Sequence, residues 1–191
     1  MLGALAEELL ALAAAPKLAP PDRVPIVVQQ PGSPPQLVHA RWGFIPHWWS
    51  KPELPRLSFN ARSEEAAAKP MWRDALRSSR CLIPATTWFE WQHAHGAKIP
   101  HALAPDASRG FMFAGLWSLW RSRREAEPVT TCAILTTAAS DTVASVHDRM
   151  PVVLAPSAWA SWLDPRLTDG AKALELLRAN TIRAVTAVTV R

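Results

Sequence analysis

One globular domain mixing short strands with a few helices is the architecture this sequence predicts, on three observations. Its 191 residues are enough for one real core. Hydrophobic residues make up 49% and charged residues 19%, the balance of a folded chain and not of a disordered tail. Eighteen prolines against seven glycines predict many rigid turns and few long helices.

The elements follow in order. Residues 2–15 carry Leu2, Leu5, Leu9 and Leu12 at helical spacing, and Pro16 stops the run. The Ala-rich start lacks a basic leader, and Glu7-Glu8 interrupts it, so it is not read as a signal peptide. No run reaches transmembrane length, and the expected location is cytoplasmic. After a stiff connector, residues 24–29 and 37–43 read as strands around a proline-glycine turn at 31–35. Residues 44–55 form a loop in which Trp48, Trp49 and Lys51 interleave rings with charge. Such a loop suits stacked bases and paired phosphates, or it caps the core. Residues 64–80 are mostly helical, with Ser63 as N-cap and a kink or restart near Pro70. Arg73, Arg77 and Arg80 give this stretch a basic, solvated side.

Further strands are expected at 81–84, 87–91, 111–117, 130–137 and 152–154. Short helices are expected at 138–145, 157–163 and 168–179, and a last strand at 182–190. His93, His95 and His101 fall in a polar segment read as a surface loop, and no metal site is expected from them. Residues 121–124 form a basic loop. Cys81 and Cys132 are too few for a disulfide framework and are expected as buried thiols. A net charge of +5 leans towards a polyanionic partner. Ten tryptophans without a tyrosine either fill a core or form a stacking platform.

Three places carry chemistry. In Ser58-Phe59-Asn60-Ala61-Arg62-Ser63-Glu64, Asn60 and Arg62 share one side of an extended strand, offering an amide and a forked cation to a sugar-phosphate. Glu90 is a lone carboxylate in the aromatic run Trp88-Phe89-Glu90-Trp91, where burial would raise its pKa towards the range useful for proton transfer. His147-Asp148-Arg149 sets a neutral-range titrating group beside a phosphate candidate, or forms a structural salt-bridge cluster.

Taken in order, Arg41-Trp42-Gly43-Phe44-Ile45-Pro46, Asn60-Ala61-Arg62-Ser63-Glu64, Arg80-Cys81-Leu82-Ile83-Pro84, Trp88-Phe89-Glu90-Trp91, Ala114-Gly115-Leu116-Trp117, Leu135-Thr136-Thr137-Ala138-Ala139 and His147-Asp148-Arg149-Met150-Pro151 resemble the SRAP family, the SOS-response-associated peptidase-like proteins. The resemblance runs from about residue 24 to the last strand. It implies a single α+β domain over 1–191 (divergent over 1–23), with mainly antiparallel strands in a barrel-like core and peripheral helices. It implies a monomer, without cofactor or metal, that processes abasic sites in single-stranded DNA in the DNA-damage response.

By that resemblance, Asn60 holds the sugar, Glu90 moves protons, and His147 hydrogen-bonds the opening sugar oxygen. Arg62 and Arg149 match phosphate-binding positions, and Trp48, Trp49 and Trp91 match the wall near the DNA. Family members capture the ring-opened aldehyde as a thiazolidine, through an N-terminal cysteine whose amine and thiol both react. This chain departs there: Met1-Leu2-Gly3-Ala4 stands where the family has Met-Cys-Gly-Arg, and only Leu18-Ala19-Pro20 echoes its Asn-x-Ala-Pro segment. Three readings follow: a SRAP enzyme with a start further upstream, a non-catalytic relative that binds single-stranded DNA, and a hydrolase with a Cys or His nucleophile.

Overall fold

The computed structural model describes residues 17–51, 53–94, 96–105, 110–121 and 127–190. The helix expected over 2–15, His95 and residues 122–124 lie outside them. In chain order the strands are β1 (Arg23–Val28), β2 (Gln36–Trp42), β3 (Asn60–Arg62), β4 (Arg80–Ala85), β5 (Trp88–Ala94), β6 (Ala97–Pro105), β7 (Phe111–Trp120), β8 (Val129–Ala138), β9 (Arg149–Pro151), β10 (Val153–Leu154) and β11 (Val185–Thr189). The helices are α1 (Ser63–Ala66), α2 (Pro70–Ser78), α3 (Asp141–Ala144), α4 (Trp159–Leu163) and α5 (Gly170–Asn180).

Strands β1, β2, β8, β7 and β4 pair in a closed ring, a five-stranded barrel that is antiparallel except where β2 runs parallel to β8. Strand β8 is the hub. Its first half lies between β7 and β2, and its second half lies between β9 and β3. A separate antiparallel sheet has the order β11-β6-β5.

Alternation along the barrel strands sorts the core into two layers. Leu82, Ala114, Leu116 and Leu135 point one way and pack with Trp72, Leu76, Trp162 and Leu177 of the helices. Ile26, Cys81, Ile83, Phe113, Cys132 and Ile134 point the other way, into the barrel, together with Trp88 and Leu103 of the small sheet. Both cysteines are free and buried, as expected. Gly115 lies on the inward side: a Cβ there would come within 2.8 Å of Ile83 Cδ1 and 2.9 Å of Cys81 Sγ. Gly115→Ala should therefore cost about 1–3 kcal/mol by overpacking, read as a lower urea midpoint. An unchanged midpoint would show that the barrel has slack at this level.

Several expectations need correction. Arg80 is buried, at 4% exposure, and does not join a solvated basic face. It is the first residue of β4, and its guanidinium turns back to bind carbonyls at the end of α2. Ser63 opens α1, and Arg62 holds the N-cap position. The stretch read as helical over 64–80 is two helices with Pro70 at the start of the second, where a missing N–H is harmless. His93 and His101 lie in strands β5 and β6. Pro100 lies within β6 beside the end of β11, where its carbonyl accepts from Val190 N at 2.9 Å. Among the described residues no helix is long and apolar enough to cross a membrane.

Candidate functional site

Strands β3 and β9 flank the second half of β8, and this arrangement assembles the polar site. Asn60 and Arg62 are exposed, while Ala61 between them is fully buried. The three-residue strand therefore presents both polar side chains outward and is anchored by the alanine. Trp42 Nε1 donates to Phe59 O at 2.9 Å, and the same carbonyl accepts from Ile134 N at 3.0 Å, fixing where β3 starts. Neither Asn60 nor Arg62 makes a side-chain hydrogen bond among the described residues, so both are free to take a ligand.

Across β8, Arg149 is already engaged. Its Nη1 and Nη2 donate to the two carboxylate oxygens of Glu64, at 3.1 and 2.8 Å. Nη2 also donates to Thr136 O at 2.8 Å. Thr137 Oγ1 donates to Glu64 Oε1 at 3.4 Å. Burial pushes the Glu64 carboxyl up, but the bonds from Arg149, from its own backbone N–H and from Thr137 outweigh this and hold it below the usual range. A forked ion pair thus ties α1 to β9, two segments 85 residues apart.

Next along the chain, His147 Nδ1 lies 3.0 Å from Arg149 N and 3.1 Å from Arg149 O, so it accepts from the one or donates to the other according to the tautomer. Asp148 Oδ1 lies 3.3 Å from the same Nδ1, ready to pair when the ring is charged.

Glu90 reaches this cluster from the small sheet. Along β5, Trp88, Glu90 and Gln92 point inward, while Phe89, Trp91 and His93 point outward. Gln92 Nε2 donates to Ser145 O at 2.7 Å, which fastens the β5–β6 hairpin to the segment leading to His147. Burial raises the Glu90 pKa, positive charge on His147 opposes the rise, and Asp148 adds to it. The expectation of a carboxyl displaced upwards by its apolar surroundings is met.

The tryptophans divide. Trp72, Trp88, Trp120 and Trp162 are core, whereas Trp48 and Trp91 are 46% and 44% exposed. The Trp48–Trp49 loop is pinned by Trp120 Nε1 donating to Trp49 O and by Trp49 Nε1 donating to Glu53 O. The loop is anchored at Thr131, whose Oγ1 accepts from Ile45 N. Thr131 is three residues along β8 from the Asn60 level, a distance of about 10 Å along the strand. Trp91 lies on the outer face of the hairpin, where Lys17 Nζ sits 5.8 Å from its ring and 4.1 Å from that of Phe89.

The pairing sets Arg62 and Arg149 at Thr136 and brings the charges of His147 and Asp148 within reach of Glu90, whereas the Trp48–Trp49 loop lies towards the other half of β8 and Trp91 is on the opposite face of the hairpin from Glu90. Glu64, Thr136, Thr137 and Gln92 were not singled out as site residues from the sequence. Only Glu64 gave a signal, as the carboxylate closing the Asn60-to-Glu64 stretch. Burial pushes the Cys132 thiol up to about 12 and the Cys81 thiol well above its ordinary value, so neither is a ready nucleophile. Among the described residues no group of three or more His, Cys, Asp or Glu could hold a metal.

Comparison with known proteins places this geometry. The family model for SOS response associated peptidase (SRAP) matches residues 6–191. The chain is 37% identical over 153 residues to the abasic site processing protein YoqW of Bacillus subtilis, covering 80% of this chain and 67% of that one. It is 32% identical over 144 residues to the abasic site processing protein YedK of Escherichia coli, covering 75% and 61%. Against the abasic site processing protein HMCES of Gallus gallus it is 28% identical over 165 residues, covering 74% and 49%. The chain thus spans about two thirds of the bacterial relatives and half of the avian one. A crystal structure of a protein from Bacteroides thetaiotaomicron superposes with a TM-score of 0.79 at 26% identity, covering 90% of this chain and 75% of that one. A phage-related protein from Bordetella bronchiseptica gives a TM-score of 0.69 at 31% identity, covering 91% and 80%.

Proposed function

Since the chain belongs to the SOS response associated peptidase (SRAP) family, we propose that it binds single-stranded DNA and processes abasic sites in it. The observation that supports this reading is that Glu90 lies within reach of the charge on His147, while Asn60 and Arg62 are exposed on the strand beside β8. An abasic deoxyribose interconverts between a cyclic hemiacetal and an open aldehyde. Opening the ring needs a proton removed from the C1′ hydroxyl and one supplied to the departing ring oxygen. Glu90, its pKa raised by burial, holds a proton more readily than an exposed carboxylate. In the tautomer whose Nδ1 accepts from Arg149 N, His147 offers its Nε2–H as a hydrogen-bond donor to the ring oxygen. Asn60 supplies an amide that both donates and accepts, suited to a sugar hydroxyl.

Arg62 is the phosphate ligand in this scheme, being exposed and uncommitted. Arg149 reaches a phosphate only by exchanging Glu64 for it, so its first task is to hold His147. Trp48, Trp49 and Trp91 give bases a surface to stack on. A nucleophilic cysteine of this chain is disfavoured, since both described thiols are sealed in the barrel. The protein works as a monomer in this reading.

The test uses a single-stranded oligonucleotide with one abasic site beside an intact control. Binding should be salt-dependent and stronger to the abasic strand. Arg62→Ala should weaken binding to both strands and reduce the salt slope by about one. Equal affinity for both strands, or an Arg62→Ala slope identical to wild type, would count against the assignment. The same mixture on a denaturing gel separates covalent capture, which leaves a shifted band, from binding alone.

A further inference from the structure

His101 has no part in the chemistry described so far, yet it sits directly across from Glu90. In the β5–β6 ladder the register partner of Glu90 is His101. Side chains of directly opposed residues in an antiparallel pair project from the same face, with Cβ atoms about 4.5–5.5 Å apart. That face is the inward one: the next pair along it, Trp88 and Leu103, is buried in the core. The pair beyond, Gln92 and Ile99, carries the bond to Ser145. His101 is half-buried, and its Nε2 is shielded from solvent without a hydrogen-bond partner among the described residues. A shielded ring nitrogen without a partner is costly, so its presence asks for a reason.

We propose that His101 is a positioning residue for Glu90, a second imidazole that acts on the carboxylate from the strand opposite and biases its protonation. His147 and Asp148, from the segment before β9, act on the carboxyl, and His101 stands opposite it in the β5–β6 ladder. Beyond His101, β11 presents the uncharged Thr189. Lys98, His93 and Lys17 belong to the outer side of the hairpin and do not face the pair. In this proposal Glu90 stands between two imidazoles, those of His147 and His101. One is fixed by its bond to the Arg149 backbone, and the other has a free nitrogen with which to follow the proton. The consequence for catalysis rests on the role given to Glu90 above. The coupling between the two side chains does not, and it can be measured without DNA.

The experiment is a 13C NMR titration of the Glu90 side-chain carboxyl and of the His101 ring in the whole chain, in wild type, His101→Gln and Glu90→Gln. In His101→Gln the Glu90 midpoint should rise by about half a pH unit or more, because a cation that favours the carboxylate is gone. In Glu90→Gln the His101 midpoint should fall for the reciprocal reason. Each variant reports on the other partner, so a folding defect in one leaves the second arm readable. Midpoints of both groups unchanged in both variants would overturn the proposal. So would a Glu90 midpoint that responds to His147→Gln but not to His101→Gln. If the coupling is found, the pH profile of abasic-site processing should move in the same direction in His101→Gln. A profile that stays put while the midpoint moves would instead refute the catalytic role of Glu90.

Discussion

Arg80→Met should cost about 3–5 kcal/mol of folding stability, the largest loss expected from a single side chain outside the site. Arg80 is a buried cation without a carboxylate in contact among the described residues. Its Nε donates to Trp162 O at 2.7 Å, Nη1 to Leu76 O at 2.8 Å and Arg77 O at 2.9 Å, and Nη2 to Asp164 O at 2.7 Å. These carbonyls close α2 and α4, helix ends that would otherwise lack donors. Burial lowers the guanidinium pKa to about 10, with Asp164 opposing the fall, so it stays charged at neutral pH. Methionine fills similar volume but leaves the acceptors without donors, at roughly 1–3 kcal/mol for each that water cannot reach. Arg80→Lys keeps the charge but cannot fork to four acceptors, and it should recover less than half of the loss. Urea unfolding of the three proteins measures this. A methionine variant as stable as wild type would mean that α4 is held by Trp162 Nε1 on Cys81 O alone.

What the sequence disclosed about the site followed the local rules of the chain. Asn60 and Arg62 are exposed around a buried Ala61 because a strand alternates, and two residues of spacing suffice to say so. Glu90 has a raised pKa because it shares the inward face of β5 with Trp88 and is desolvated there. What stayed hidden depended on closure of the barrel. Nothing in the order of residues says that Glu64 will pair with Arg149, which is why Arg149 read as a phosphate candidate or as part of a structural salt-bridge cluster with no partner named. Arg80 looked solvated because its spacing from Arg73 and Arg77 mimics a helix face, whereas the helix ends at Ser78. His101 looked like loop because it falls in a polar, histidine-bearing segment, and its neighbour across the ladder is eleven residues earlier. Strand and helix periods are local, but ion pairs and ladder partners are properties of topology.

Glu90→Gln should leave DNA affinity within about twofold while slowing the chemistry on the abasic sugar by a factor of about 10²–10⁴, the usual contribution of a positioned acid or base. Glutamine keeps the size and polarity of the side chain and so keeps the hairpin in place, but it cannot exchange a proton. The wild-type pH profile should therefore show a limb above the ordinary carboxylate range, and that limb should be absent from the residual activity of the variant. Stability supplies an independent sign. Because the folded-state pKa of Glu90 is raised by burial, its protonated form is favoured in the folded protein. The stability this gives is complete below the unfolded carboxylate pKa and is lost as pH rises through the folded value. Urea midpoints of wild type relative to Glu90→Gln should accordingly fall as pH rises from the acid side towards neutrality. A midpoint difference that is flat with pH would place the carboxyl in water, and a variant with full activity would remove it from the reaction. Arg62→Ala should give the reverse pattern, with weaker binding and an unchanged rate once DNA is saturating. Equal losses of affinity from the two substitutions would dissolve the separation between a sugar-handling interior and a phosphate-binding edge.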